Sequence, residues 1–202
     1  CKHRNPILYD FVEGESCTYK DTERGKLIGD FISNSKSTFF MSDEQRRIYT
    51  EHLPNIEGAN THVLSSLFDD HFFERIDLLN SKYEGQPRDD KWIVLGSNSW
   101  VKGALQSENW CKQNNVDYEL IFGVEYDQFL KRLAQAKGLC AMPAGYDTCP
   151  RLVIEAKLLG CELQTNEYVQ HRDEEWFNKS NDEIVKYLRT RKDYFWMHAF
   201  NG

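Results

Sequence analysis

From residue 91 onward the apolar positions fall into two alternating kinds of run. "KWIVL" (91–95) is short, apolar after its opening lysine and stopped by Gly96, which predicts a strand covered on both faces. "GALQSENWCKQNN" (103–115) predicts a helix that stops at the paired asparagines. "DYELIF" (117–122) predicts the next strand, closed by Gly123. "EYDQFLKRLAQAKG" (125–138) places Phe129, Leu130, Leu133 and Ala136 on one helical face, with Gly138 as its C-terminal cap. "LCAM" (139–142) is a strand stopped by Pro143, and "PRLVIEAKLLG" (150–160) a helix with Pro at its start and Gly past its end. "CELQT" (161–165) closes the series. Strands and helices alternating in steps of this size predict an α/β fold with a parallel, doubly wound sheet.

The pattern is less regular before residue 84. Helices are predicted over 22–36, 42–54 and 69–83, and strands over 38–41 and 61–66. The second helix opens on Ser42 as N-cap, with Gln45 three residues later and Pro54 at its end. "EGQPRDD" (84–90) reads as a polar linker. It divides the chain into 1–86, an incomplete α/β region, and 87–202, whose aromatic-rich terminal helix (181–200) is expected to pack back toward the first region.

The 202 residues are 40% hydrophobic and 28% charged, with a net charge of −7. Basic residues are scattered, so nucleic acid is not an expected partner. No apolar run is long enough for a membrane span and no signal peptide is evident. The six cysteines (1, 17, 111, 140, 149, 161) form no CxxC pair, which predicts reduced thiols in a cytoplasmic protein. Cys1, His3 and Cys17 match no usual zinc frame, so no metal is expected.

In a parallel sheet the loops leaving the carboxyl ends of strands gather on one edge, where ligands bind. Two such loops carry chemistry. "GSNSWVKG" (96–103) offers Gly96 and Gly103 for tight turns, hydroxyl and amide donors from Ser97 onward, and the cation of Lys102. "AGYDTCPR" (144–151) leads into a helix that begins beside Arg151 and carries Glu155 one turn on. The helix N-terminus and the guanidinium are suited to a phosphate, and a carboxylate set behind them to sugar hydroxyls. Each residue also has a plainer reading. Arg151 and Glu155 can form a surface ion pair worth about 0.2–0.5 kcal/mol, Asp147 can stabilise a turn, and Lys102 can be an ordinary surface lysine.

"LGSNSWVKG" followed by "PAGYDTCPRLVIEAKLLGC" resembles the C-terminal nucleotide-sugar domain of GT-B glycosyltransferases, in the retaining group with a Glu-x7-Glu signature. Asp147 stands at the first acidic position of that signature and Glu155 at the second. The family's GR-x-x-x-x-KG loop aligns on Gly96 to Gly103, with Lys102 at its diphosphate-contacting lysine. "KSTFFMSDEQRRIYTEHLP" and "NTHVLSSLFDDHFF" look like the closing part of the family's N-terminal domain, so the resemblance covers most of 36–165. It departs at Ser97, where the family has Arg, and at Asp147, where it has Glu.

The resemblance implies a Rossmann-like domain and transfer of a sugar, without a metal or other cofactor, from a nucleotide donor to an acceptor hydroxyl. Asp147 and Glu155 would be the catalytic-site carboxylates, Asp147 on the donor sugar and Glu155 on the ribose. Gly96, Ser97, Lys102, Cys149 and Arg151 would face the diphosphate, and Gly123 and Val124 the nucleoside. His3 and His62 are acceptor-side candidates by chemistry alone. The alternative is a nucleotide- or sugar-binding module that kept the fold and lost transfer. A response-regulator-like switch is disfavoured, because its acidic cluster and late lysine are not evident.

Overall fold

The computed structural model describes residues 21–148 and 150–201. Contacts divide it into two compact units: residues up to Leu67 with those from Lys186 onward, and Phe68–Val185.

The first unit begins with α1 (Glu23–Ser33), capped by the Thr22 hydroxyl, which accepts from the Gly25 N–H. Strands β1 (Thr38–Phe40) and β2 (Thr61–Val63) form a two-stranded parallel sheet. Between them runs α2 (Asp43–His52). Its cap is reciprocal: the Ser42 hydroxyl accepts from the Gln45 N–H, and the Gln45 side chain accepts from the Met41 N–H. Ile32, Phe40, Leu53 and Ile56 are buried together. Ser65, just past β2, holds a left-handed backbone (φ 68°), and its hydroxyl pairs with the Tyr187 hydroxyl at 2.8 Å.

The second unit opens with α3 (Asp70–Tyr83), capped by Asp69. Strands β3 (Trp92–Leu95), β4 (Tyr118–Ile121), β5 (Gly138–Ala141) and β6 (Glu162–Thr165) follow. They form one parallel sheet in the order β4-β3-β5-β6. The connections are α4 (Ala104–Gln113), α5 (Tyr126–Gln135) and α6 (Arg151–Leu158). Right-handed crossovers place α4 on one face and α5 with α6 on the other. The burial pattern agrees: Trp92, Val94 and Cys140 pack with Cys111 of α4, while the intervening Ile93 and Leu139 are also fully buried. The reading of an α/β fold built on a parallel sheet therefore holds. A final helix, α7 (Asn181–Asn201), starts in the second unit and continues in the first from Lys186.

Two local expectations change. Gly138 does not cap α5, which ends at Gln135 with Ala136 as C-cap. It is instead the first residue of β5, where a Cβ would stand 2.8 Å from the Trp92 ring and 2.7 Å from the Glu162 carbonyl. Segment 84–90 is exposed, but Arg88 within it is tightly engaged. Its guanidinium donates to the carbonyls of Leu133, Ala136 and Leu159. One cation thus closes the C-terminal ends of both α5 and α6, where the helix dipoles favour positive charge.

Cys111, Cys140 and Cys161 are free, buried thiols. Among the described residues, no helix is long and apolar enough to cross a membrane, and no group of three or more His, Cys, Asp or Glu could hold a metal ion.

Candidate functional site

Strand order in the second unit reverses between β3 and β5. Chain connections leave β3 toward β4 on one side and continue from β5 toward β6 on the other, so a crevice opens at the carboxyl ends of these two neighbours. Both chemistry-bearing loops leave from there. The β3–α4 loop carries Gly96 to Gly103, and the β5–α6 loop carries Met142 to Pro150.

The two loops are joined by backbone. The Ala144 N–H donates to the Val101 carbonyl at 3.1 Å, and Gly103, in the left-handed region (φ 62°), lies directly against Met142 and Pro143. Ser107, on the first turn of α4, is buried and bridges the same elements. Its hydroxyl donates to the Gly103 carbonyl and accepts from the Met142 N–H, both at 3.0 Å.

Across this junction the Lys102 ammonium meets the Asp147 carboxylate at 2.8 Å. Asp147 is held from behind as well. Its N–H donates to the Tyr168 carbonyl at 2.9 Å, and its backbone forms a parallel bridge with Val169. Asn166 supports the loop by donating to the Pro143 carbonyl at 2.8 Å. The lysine side chain is 37% exposed and the aspartate 11%, so the cation is the member open to solvent. Beneath the pair lies a cavity of about 30 Å³, lined by Ser107, Cys140, Pro143 and Pro150 among others. That volume admits one water-sized group, against the roughly 300–1,000 Å³ of a typical ligand pocket.

The remaining candidates are distributed around this pair. The Ser97 hydroxyl accepts from the Ser99 N–H at 3.1 Å and shapes its own loop. The Gly96 N–H donates to the Ile121 carbonyl. Gly123 (φ 67°) and Val124 form the exposed turn after β4. Arg151, the first residue of α6, lays its guanidinium 4.5 Å over the Phe68 ring, a cation–π contact.

Glu155 is 5% exposed and accepts from the Tyr126 hydroxyl at 2.9 Å. Burial pushes its carboxyl up from the usual range, opposed by the Tyr126 hydrogen bond and the nearby Arg151 charge. The Tyr126 phenol is pushed up in turn, first by burial and then by the Glu155 charge. Arg75 lies 5.8 Å from the Tyr126 ring and pairs with Asp127 at 3.0 Å.

Sequence reasoning placed Lys102, Asp147, Arg151 and Glu155 on one edge of one sheet, and the structure puts them there. They separate into two groups: Lys102 with Asp147, and Glu155 with Tyr126 beside Arg151. Tyr126, Phe68, Ser107 and the 166–169 segment escaped sequence reasoning. Of these, only Ser107 carried a local signal, a small polar residue four positions after the glycine it binds.

Cys149, with Cys1, His3 and Cys17, lies outside the described residues. His62 sits on β2 in the first unit. Its ring is 4.1 Å from that of His198, and its Nδ1 is 3.3 Å from the Tyr194 hydroxyl. No protein family, curated protein or solved structure matches the chain.

Proposed function

We propose that Phe68–Val185 is a nucleotide-sugar-binding domain of the GT-B glycosyltransferase kind, serving metal-independent transfer of a glycosyl group to an acceptor hydroxyl. The observation that carries this reading is the 2.8 Å Lys102–Asp147 pair at the reversal of strand order. A free ammonium–carboxylate pair is satisfied by itself. A ligand can part it only by offering each member an equivalent partner: an anion for Lys102 and a hydroxyl donor for Asp147. A sugar joined to a diphosphate offers both on adjacent atoms.

In the bound state Lys102 stabilises negative charge growing on the departing diphosphate, and Asp147 accepts from the sugar hydroxyls. Glu155 is set too deep to meet a ribose directly. It acts by fixing the Tyr126 hydroxyl, whose ring is the exposed member of that pair.

The second reading, a binding module without transfer, is favoured by one feature. The ion pair closes the crevice to a cavity of about 30 Å³, and Ser97 stands where the family supplies a second cation. Calorimetric titration with UDP, GDP and ADP and with their glucose conjugates tests both. Conjugates that bind more tightly than the bare nucleotides, with turnover, support transfer. Binding without donor hydrolysis or transfer supports the module. No heat at millimolar ligand with folded protein defeats both.

A further inference from the structure

We infer that the first unit carries a docking surface for an anionic lipid bilayer, formed by the last four turns of α7 and the exposed side of α1. Independently of the nucleotide site, Trp196, Met197 and Phe200 are 50%, 54% and 69% exposed on α7, and Leu27 and Phe31 are 69% and 74% exposed on α1. The two elements are linked at one end of each. The segment that follows α1 bonds the end of α7, with the Lys36 ammonium on the Phe200 carbonyl and the Ser37 hydroxyl on the His198 carbonyl.

The charge on α7 is graded along its exposed stripe. Positions 189, 192, 193, 196 and 200 recur at helical spacing on one side. Arg189 and Lys192, with Lys186 one turn before, precede the aromatic tip, and Asp193 is the one acid among them. At 1.5 Å per residue the guanidinium end lies about 16 Å from Phe200. That arrangement suits a helix whose tip enters the acyl boundary while its cations rest among phosphates.

Charge favours lipid over a second copy of the chain. A parallel two-fold contact through this surface would set one basic collar against the other. An anionic bilayer instead attracts the collar, and repels the rest of a chain whose net charge is −7.

The test is flotation of the whole chain with vesicles of phosphatidylcholine alone and of phosphatidylcholine mixed with phosphatidylserine. Binding is expected to the mixed vesicles only and to weaken with salt. Lys186→Glu/Lys192→Glu should reduce it by more than about twentyfold, at roughly fivefold for each charge removed. Trp196→Ala/Phe200→Ala should reduce it at least about tenfold, with the fold of both variants intact by circular dichroism because all four side chains are exposed. Absence of flotation, equal flotation on both vesicles, or unchanged flotation of either variant overturns the proposal. So does concentration-dependent dimerisation abolished by Trp196→Ala/Phe200→Ala without vesicle binding.

Discussion

The backbone of Gly103 lies so close to Met142 that a Cβ on Gly103 would stand 1.9 Å from the Met142 carbonyl oxygen. The two loops that carry the candidate site are thus in contact through main chain, before any side chain is considered. Gly103→Ala combines that clash with a left-handed φ of 62°. It should destabilise the second unit by about 3 kcal/mol, read as a lowered urea midpoint with an unchanged slope. A midpoint within error of the parent would mean that the loops can part at little cost.

Arg88 tests the linker. Arg88→Ala leaves the carbonyls of Leu133, Ala136 and Leu159 without their shared donor, and should cost about 2 kcal/mol. Arg88→Lys should recover less than half, since one ammonium cannot span two helix ends as a planar fork does. Equal stability of all three proteins in chemical denaturation would reduce Arg88 to a surface residue.

Glu155 and Tyr126 make a charge-specific prediction. Because burial raises the Glu155 carboxyl above its unfolded value, the ionised form costs stability as pH rises through that range. Glu155→Gln keeps the Tyr126 hydrogen bond and drops the charge, so it should be neutral or stabilising by up to about 1 kcal/mol at neutral pH. Tyr126→Phe removes the donor and leaves the carboxylate buried, and should destabilise by about 1–2 kcal/mol. The reverse order of thermal midpoints would refute this account of the pair.

The burial of His171 makes a prediction for the acid limb of stability. It is 3% exposed, packed on Trp176 and Phe177, and its Nε2 has no hydrogen-bond partner. Burial lowers its pKa to about 4. The unfolded chain takes up this proton near pH 6.5 and the folded chain resists until about 4. The contribution is therefore complete above about pH 6.5 and is lost as pH falls to about 4, reaching about 3 kcal/mol. His62, also lowered by burial and by the facing His198 and Arg46 charges, adds a loss of the same sign. His171→Phe should flatten the urea midpoint between about pH 7 and pH 4.5. A slope equal to the parent's would assign the acid loss elsewhere.

Much of the fold was legible because its elements announce themselves locally. Apolar runs stopped by Gly96, Gly123 and Pro143 became β3, β4 and β5 to within two residues at each end, and the Ser42–Gln45 cap formed on the helix that it was read to start. The site was legible only as an edge. Lys102 and Asp147 are 45 positions apart, and nothing local tells a lysine which loop it will face. The 166–169 segment pairs with Asp147 through backbone atoms, which every residue carries. Arg88 sat in a stretch whose composition signals a connector, and its acceptors are carbonyls that no sequence pattern marks. Gly138 misled because helix caps and close strand packing call for the same residue.

The hydrogen bond from Ala144 to Val101 has a kinetic corollary. With the main chains of both loops tied together, the proposed nucleotide-sugar would reach Asp147 through rotation of the half-exposed Lys102 side chain, not through hinge motion of the backbone. Side chains of that kind turn over in picoseconds to nanoseconds. Stopped-flow association should accordingly rise linearly with ligand concentration and show no saturating, isomerisation-limited phase.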